Sequence, residues 1–586
     1  MERPSFNYAK FILGLCAVDA FASTSLLLLP AVAQAPGALN PGVQLREQLR
    51  ENIPSTPKYV APEKADPTDN SKDSDVNNSS TENTQTFFLK AIRIVGNNTI
   101  RTGILTQPFL PLIGTEITFE QLKNAAAQSE LNYTSKGYIT SRVLIPQQNI
   151  KSGNITVRVV EGYIESLEVT GATSGSQAYF RKMLQPIVGD GSNSIFNFKH
   201  LERQLLLVRD FGGVRYKTVL AKGNKLGASK LLVELNTKSL SGGISANNNI
   251  SSNLGTWQAG ANLLFVTPTS QPIKLLAAGT YSFPYSSGLI TGFGVISSPI
   301  GNKGFTANGL WSISSTSSKD LYSGKQTLQT VGTSNYWSFG ISYPIILKRN
   351  SKLSLSLSGT GQNSTNDLYL DGSQISDLST DRIRAVRLGV DGYYSTPSSS
   401  NSFSFKLSQG IGGLGSDLST EEVPSNLYGS STFTTARLNL ARTQKLFKSS
   451  TLFTVKGTGQ LSSTAVPVPE AITYGGPLYG RAFNSVYLLG DQGWAASAEI
   501  SQPINFSAFN SNVNISPFIW YDYGSTQYKE GPLPNNSAST YGAGMRLNAF
   551  NTNVELGYAI PASNTLNSDL VGTGSSLLYF NAGWRF

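Results

Sequence analysis

At 586 residues the chain has room for two to four domains, or for one very large one with accessories. Charged residues are only 14%, and Ser, Asn, Thr and Gly fill the gap; that mixture suits a sheet with one apolar face and one uncharged polar face better than a soluble core. The net charge of +10 is spread without a Lys/Arg block, which speaks against a nucleic-acid partner, and Cys16 and His200 are the sole cysteine and histidine. Cys/His zinc sites, thiol nucleophiles and Ser-His-Asp triads therefore lack their parts, so no catalytic residue, metal or cofactor is expected.

In chain order, the N-terminus reads as a secretory signal. Arg3 and Lys10 are followed by an interrupted apolar stretch, and Ala33-x-Ala35 supplies a small-residue cleavage pattern after residues 1–35. A membrane anchor is the competing reading, weakened by Asp19 and by Ser23 to Ser25. No later run reaches the roughly 18 apolar residues of a spanning helix. Residues 36–85, rich in Pro, Asn, Ser, Thr and acids, read as a disordered linker. Within them "VQLREQLREN", from Val43 to Asn52, has the composition of one short polar helix that needs a docking surface.

Residues 86–240 hold one pattern twice: strand, helix, helix, strand, strand. In the first unit "FFLKAIRIVG" precedes two helical stretches, the second opened by a Thr118/Gln121 capping box, then "YITSRVLIP" and "NITVRVVEG". The second unit runs from "YIESLEVTG" through two helices to "VRYKTVLAKG" and "SKLLVELNTKS". Repetition at about 75 residues marks two α+β modules, 86–163 and 164–240. His200 falls on the last helix of the second, where a helix-surface role is expected.

From residue 241 to 586 the period is two. "KLSLSLSG" sets Leu353, Leu355 and Leu357 against Ser354, Ser356 and Ser358, and "FSFKLSQ" and "AVRLGVDG" repeat the design. Pro284, Pro344, Pro397, Pro503 and Pro561 are expected to close strands. Stretches such as "NDLYLDGSQISDLSTD" read as long loops. About 345 residues at about 20–22 per strand and loop give a transmembrane β-barrel of about 16 antiparallel strands around a wet lumen. In the last strand Phe580, Trp584 and Phe586 share a face with Leu578 and Ala582, as a barrel-closing strand ending on an aromatic should. A soluble β-sandwich is the alternative to be excluded.

"YGGPLYGRAFNSVYLLGDQGW", Tyr474 to Trp494, carries the lone Arg481. A charge facing lipid near the midplane costs about 2–4 kcal/mol, so Arg481 is expected in the lumen, where it needs a carboxylate. Asp522 in "PFIWYDYGST" is one candidate among several, with Gly524 leaving room for an approaching loop.

The chain from about Phe87 onward resembles the two-partner secretion transporters (TpsB) of the haemolysin-activator type, ShlB/FhaC/HecB. Their superfamily includes the barrel-assembly insertases. "GYITSRVLIPQQNIKSGNITVRVVEGYIESLEV" is similar to the family's pattern where its two POTRA domains join, matched by Gly137, Tyr138, Arg142, Pro146, Gly153, Glu161 and Gly162. "GGPLYGRAFNS" resembles the motif of the long sixth loop, with Gly475, Gly476, Arg481 and Phe483 in place; Gly480 stands for the usual Val and Ala482 for the usual Gly. Gly490, Asp491, Gly493 and Glu499 match the start of the next strand, and Asp522 and Gly524 a later strand motif. The resemblance implies an Arg481–Asp522 ion pair in the lumen and an N-terminal helix that plugs the barrel at rest. It also implies export of a large TpsA-like exoprotein, bound in extended form by periplasmic POTRA domains. Outer-membrane lipid and the barrel-assembly machinery are the further partners. An insertase of the same superfamily is the alternative, two modules being fewer than those usually carry; a porin would not need the modules.

Overall fold

The computed structural model describes residues 40–52, 86–191, 194–211, 213–250, 254–283, 288–318, 327–416, 422–447, 449–565 and 576–586. The expected signal peptide, most of the linker and Pro284 lie outside them. The chain divides into two compact units, a barrel with the N-terminal helix and an α+β unit of residues 86–239 with Val266–Pro272.

In the α+β unit the repeat is visible as topology. In the first module Ala91–Val95 runs parallel to Asn154–Val160, which also pairs antiparallel with Arg142–Leu144. In the second, Tyr163–Gly171 runs parallel to Ala228–Thr237, which pairs antiparallel with Val214–Lys222. Each module thus places its last strand in the middle of a three-stranded sheet. Helix Phe119–Thr134 starts at the reciprocal Thr118/Gln121 cap and buries Leu122, Ala125, Ala126, Ser129 and Tyr133, one face at helical spacing. Helices Ser174–Leu184 and Phe198–Phe211 cover the second sheet through Phe180, Leu184, Leu201 and Leu205, and His200 is exposed. Two elements are shorter than expected. The first helix is Thr102–Thr106 running into a 3-10 turn that contains Pro108 and Pro111, and "YITSRVLIP" is strand only at Arg142–Leu144.

In the barrel, strands pair antiparallel with their chain neighbours from Leu240–Asn247 to Leu577–Arg585, and the last closes on the first from Arg585↔Gly243 to Asn581↔Asn247. Gln492–Ser501 and Ile504–Ala508 both pair with Ser511–Gln527 as one strand interrupted at Pro503, so the wall has 16 strands. Closure abolishes sheet edges, and alternation gives the two faces. Outward stand Trp311, Phe339, Leu355, Leu357, Leu440 and Ile519; inward and buried lie Ser312, Ser314, Ser334, Thr360, Gln362 and Ser364. Among the described residues no helix is long and apolar enough to cross a membrane.

Two readings of the barrel need correction. Pro344 and Pro561 do not close strands. They sit inside Leu328–Lys348 and Thr552–Asn564 beside register shifts, where a bulge removes the need for the missing N–H. Pro503 marks an interruption and Pro397 a turn. "NDLYLDGSQISDLSTD" is not a loop but the end of a hairpin. Ser351–Leu370 and Ser373–Ser395 stay paired to Leu370↔Ser373 around Asp371-Gly372, both at positive φ.

Candidate functional site

Two elements fill the lumen. The first is the loop 463–491, which folds back into the barrel on its own short ladder, Ile472–Tyr474 against Leu488–Gly490. Tyr474 wedges it against the wall: a Cβ on Gly524 would lie 2.1 Å from the Tyr474 ring, so only glycine admits the ring there. The Tyr474 hydroxyl donates to the Asp522 carbonyl at 3.4 Å. Gly480, at φ +85°, lies under the same ring and donates its N–H to Asp522 Oδ2 at 3.1 Å. Phe483 stacks on Tyr487 at 4.1 Å and returns the chain through Gly476 N–H to its own carbonyl at 3.0 Å.

Arg481 then points between strands. Its Nε is 3.6 Å from Asp522 Oδ2, its Nη1 3.1 Å from Glu499 Oε2, and its guanidinium lies 4.6 Å from the centre of the Trp520 ring. Asp522 and Glu499 reach the lumen because they alternate with outward residues: Trp520 and Asp522 are buried while Ile519 and Tyr521 are exposed. Glu499 is shared with Arg546 at 2.5 Å, and Arg546 reaches Glu555 at 2.8 Å. Asp522, Arg481, Glu499, Arg546 and Glu555 therefore form one chain of alternating charge. Removing one member of such a buried set strands its partner, at a cost of about 3–5 kcal/mol.

The second element is helix Pro41–Asn52, against strands Phe305–Ser317, Leu328–Lys348, Ser351–Leu370 and the turn Val468–Glu470. Asn40 caps it, accepting from Gly42 N at 2.9 Å and Val43 N at 3.2 Å. Val43 packs on Val468 and Val486, and Gly42 meets Gln362 and Ser364 of the wall. Arg46 donates to the Pro469 carbonyl and lies 3.5 Å from Glu470; Thr473 donates to Glu47 at 2.8 Å. Glu470 is gripped bidentately from the wall by Arg387 at 2.6 and 3.1 Å. Burial alone would push the Glu470 carboxyl up, but Arg387, Arg46 and Arg437 overcome it and hold it at about 2.

The remaining sequence-singled residues are structural supports of these elements or lie elsewhere. Asp491 is buried and accepts from Val466 N at 2.9 Å and Lys529 N at 2.8 Å, tying both ends of the loop. Gly475 opens the loop's tip, its N–H donating to the Tyr479 carbonyl at 2.9 Å. Gly490 and Gly493 lie against the backbone of residues 525–527. Trp584 and Phe586 are exposed, 5.7 Å apart, and Phe580 packs edge-on against Trp257 at 5.8 Å. In the α+β unit, Glu161 accepts from Asn98 N at 3.0 Å, Thr99 N at 2.7 Å and the Tyr133 hydroxyl at 2.8 Å. Burial and Glu161 together raise the Tyr133 phenol above its ordinary range. Tyr138 packs edge-on against Tyr133 at 6.2 Å. Gly137 accepts from Phe198 N at 2.8 Å across the two modules, and Gly162 donates to Ser141 Oγ at 3.1 Å. Gly153 ends a 3-10 turn, Arg142 pairs with Glu130 at 3.2 Å on the surface, and the Pro146 carbonyl accepts from Gln148 at 3.2 Å.

Sequence reasoning quoted Glu499 only as part of a strand motif and missed Arg546, Glu555, Glu470 and Arg46. One signal was present: a charge on the wet face of a barrel strand needs an opposite charge across the lumen.

Set beside known proteins, residues 227–547 match the model of the "Haemolysin secretion/activation protein ShlB/FhaC/HecB" family, and residues 87–162 match the ShlB-type POTRA domain. The heme/hemopexin transporter protein HuxB of Haemophilus influenzae is 23% identical over 499 residues, 82% of this chain and 85% of its own. Among solved structures, CdiB from Escherichia coli superposes with a TM-score of 0.69 at 16% identity, covering 100% of this chain and 99% of that one. CdiB from Acinetobacter baumannii gives 0.62 at 15%, covering 96% and 100%. These two establish the fold; the family model, matching over half the chain, establishes kinship. The chain belongs to the haemolysin secretion/activation protein family ShlB/FhaC/HecB, the outer-membrane β-barrel transporters of two-partner secretion.

Proposed function

We propose that the chain takes a large TpsA-like exoprotein in extended form on its α+β modules, on the periplasmic side, and passes it through the barrel lumen. Supporting this, among the described residues Val214–Lys222 pairs on one side only and Tyr163–Gly171 carries a single bridge, Ile164 to Val188, on its outer side, leaving edges to which an extended chain can add as a strand. Helix Pro41–Asn52 plugs the barrel at rest and leaves to open the path. The loop 463–491 stays seated through Arg481 and shapes what remains. Residues 1–35 act as a cleaved signal peptide, and the barrel-assembly machinery inserts the barrel, with the aromatic last strand as its signal. The cycle is binding and gating, without covalent chemistry.

The observation that carries this reading is the way the helix is held. Among the described residues its fastenings to the wall and to the loop run through side chains, so its exit breaks no strand ladder. HuxB is named a heme/hemopexin transporter, which makes a haem- or hemopexin-binding exoprotein the first cargo class to test.

The test is co-expression with a large TpsA-like exoprotein from the same organism, in a host lacking both. Soluble exoprotein is expected in the medium only when the transporter is present. Arg481→Ala is expected to leave the barrel assembled and heat-modifiable while cutting release. Release at the wild-type rate would remove the loop from the mechanism, and new membrane barrels in place of released protein would favour the insertase reading.

A further inference from the structure

The charges facing the plug helix are unbalanced. Arg46 lies within electrostatic reach of Arg387, Lys406 and Arg437 of the wall and Arg50 within reach of Arg437, and the nearby carboxylates are Glu470 and the helix's own Glu47. Glu470 is already taken by Arg387. Lys406 and Arg437 stand directly opposite each other on neighbouring strands. Like charges so placed repel, since opposed side chains have Cβ atoms only about 4.5–5.5 Å apart, inside the Debye length of about 8 Å at physiological salt. Neither has a carboxylate within ion-pair distance among the described residues. Arg437 donates to neutral acceptors, Gln460 Oε1 at 2.8 Å and the Ala471 carbonyl at 3.1 Å. Asp391 acts on Lys406 only from further away. Around Arg481 the lumen charges are matched, along the chain from Asp522 to Glu555.

A wall that keeps two opposed cations without a counter-ion is built to meet anions. When the helix leaves, it takes Glu47 along with Arg46 and Arg50, and uncovers Arg387 and Arg437 beside the already open Lys406, with Glu470 and the more distant Asp391 as the carboxylates left to them. The stretch of wall on which the helix packs adds little charge of its own, presenting Ser312, Ser314, Ser334, Gln362 and Ser364. We propose that the unplugged barrel is an anion-selective pore, with Lys406 and Arg437 as its selectivity residues and small inorganic anions such as chloride as their ligands. The cations also make the seat a poor one for a helix carrying Arg46 and Arg50, so the plug is held by a few hydrogen bonds and Glu470 against repulsion. This rests on the plug reading above, and the two fail differently.

The test uses purified protein in planar bilayers under a potassium chloride gradient. The wild-type chain, a chain lacking residues 40–52, and Arg46→Ala as a milder opening variant are compared. Conductance is expected to rise in both variants, with a reversal potential displaced toward that of chloride. In the opened chain Lys406→Gln is expected to shrink that displacement, and Lys406→Glu to carry it to zero or past it. Lys406 is solvent-exposed, so neither change threatens the fold. Open but cation-selective variants would overturn the proposal and spare the plug. Anion selectivity untouched by either Lys406 substitution would overturn the assignment of residues. No rise in conductance in either opening variant would overturn both readings.

Discussion

Gly480 stands where the family pattern has valine, and its surroundings give the reason. Its φ of +85° is open to glycine and hostile to a β-branched residue, and a Cβ would lie 2.7 Å from the Tyr474 ring. The substitution lets the backbone N–H, in addition to the Arg481 side chain, reach Asp522. Gly480→Val is therefore expected to lift the tip of the loop and expose Arg481, so that trypsin cleaves there in the assembled barrel; continued protection would contradict the wedge. The two carboxylates around Arg481 are not equivalent. Glu499 keeps Arg546 when Arg481 is lost, whereas Asp522 loses its cation. Asp522→Asn is thus expected to recover much of the loop protection lost in Arg481→Ala, and Glu499→Gln to recover little, in a double-mutant cycle read by the same proteolysis. Arg481 could be read from sequence because a charge in an apolar wall has few places to go. Asp522 emerged as one carboxylate among several and was singled out by family resemblance. The Arg387–Glu470 pair could not be read, since 83 residues separate its members and only barrel closure brings them together.

At the scale of elements, the helix Pro41–Asn52 is polar, short and unstable alone, and its seat supplies what it lacks. One contribution depends on pH. With the helix docked the Glu470 carboxyl is held at about 2, below its ordinary 4.5, by Arg387, Arg46 and Arg437, with Arg50 and Glu47 on the helix nearby. A depressed carboxylate contributes its full hold above its ordinary value and loses it as pH falls toward the bound one. Arg387 and Arg437 stay with Glu470 when the helix leaves, so the helix's own share of that hold comes from Arg46, and bilayer conductance is expected to stay low from neutrality through about pH 4.5 and to rise as pH falls toward about 2. Glu470→Gln should already be partly open at neutral pH and show little further rise; an unchanged acid profile in that variant would assign the effect to other groups. The helix could be read from composition, as could the barrel strands from their alternation. The Asp371-Gly372 hairpin reads as a loop because polar residues on both faces hide the alternation, although Asp-Gly is itself a hairpin signal. Pro344 and Pro561 misled for a related reason: a proline reads as a strand end unless a bulge absorbs it, and a bulge leaves no mark in local sequence.

For the molecule as a whole, the question is whether cargo passes where the helix sits. A closed wall of 16 strands offers a lumen but no free edge, and the described residues fill that lumen with one helix and one loop. The loop's own ladder and its Asp491 ties make it the more permanent occupant; the helix, held by side chains near like charges, is the one that can go. The chain's single cysteine, Cys16, lies within the expected signal peptide, so a cysteine pair can be introduced without interference. Val43 and Val468 pack in one cluster, which makes Val43→Cys with Val468→Cys the natural bolt between helix and loop. Under oxidising conditions the bolted chain is expected to be inserted normally, to conduct no more than the wild type, and to release almost no exoprotein; reductant should restore release within the same culture. Each single cysteine variant should export normally throughout. Should the oxidised, cross-linked chain export at the wild-type rate, the cargo's route would not run through the helix seat, and the cation-lined space uncovered there would serve ions rather than protein.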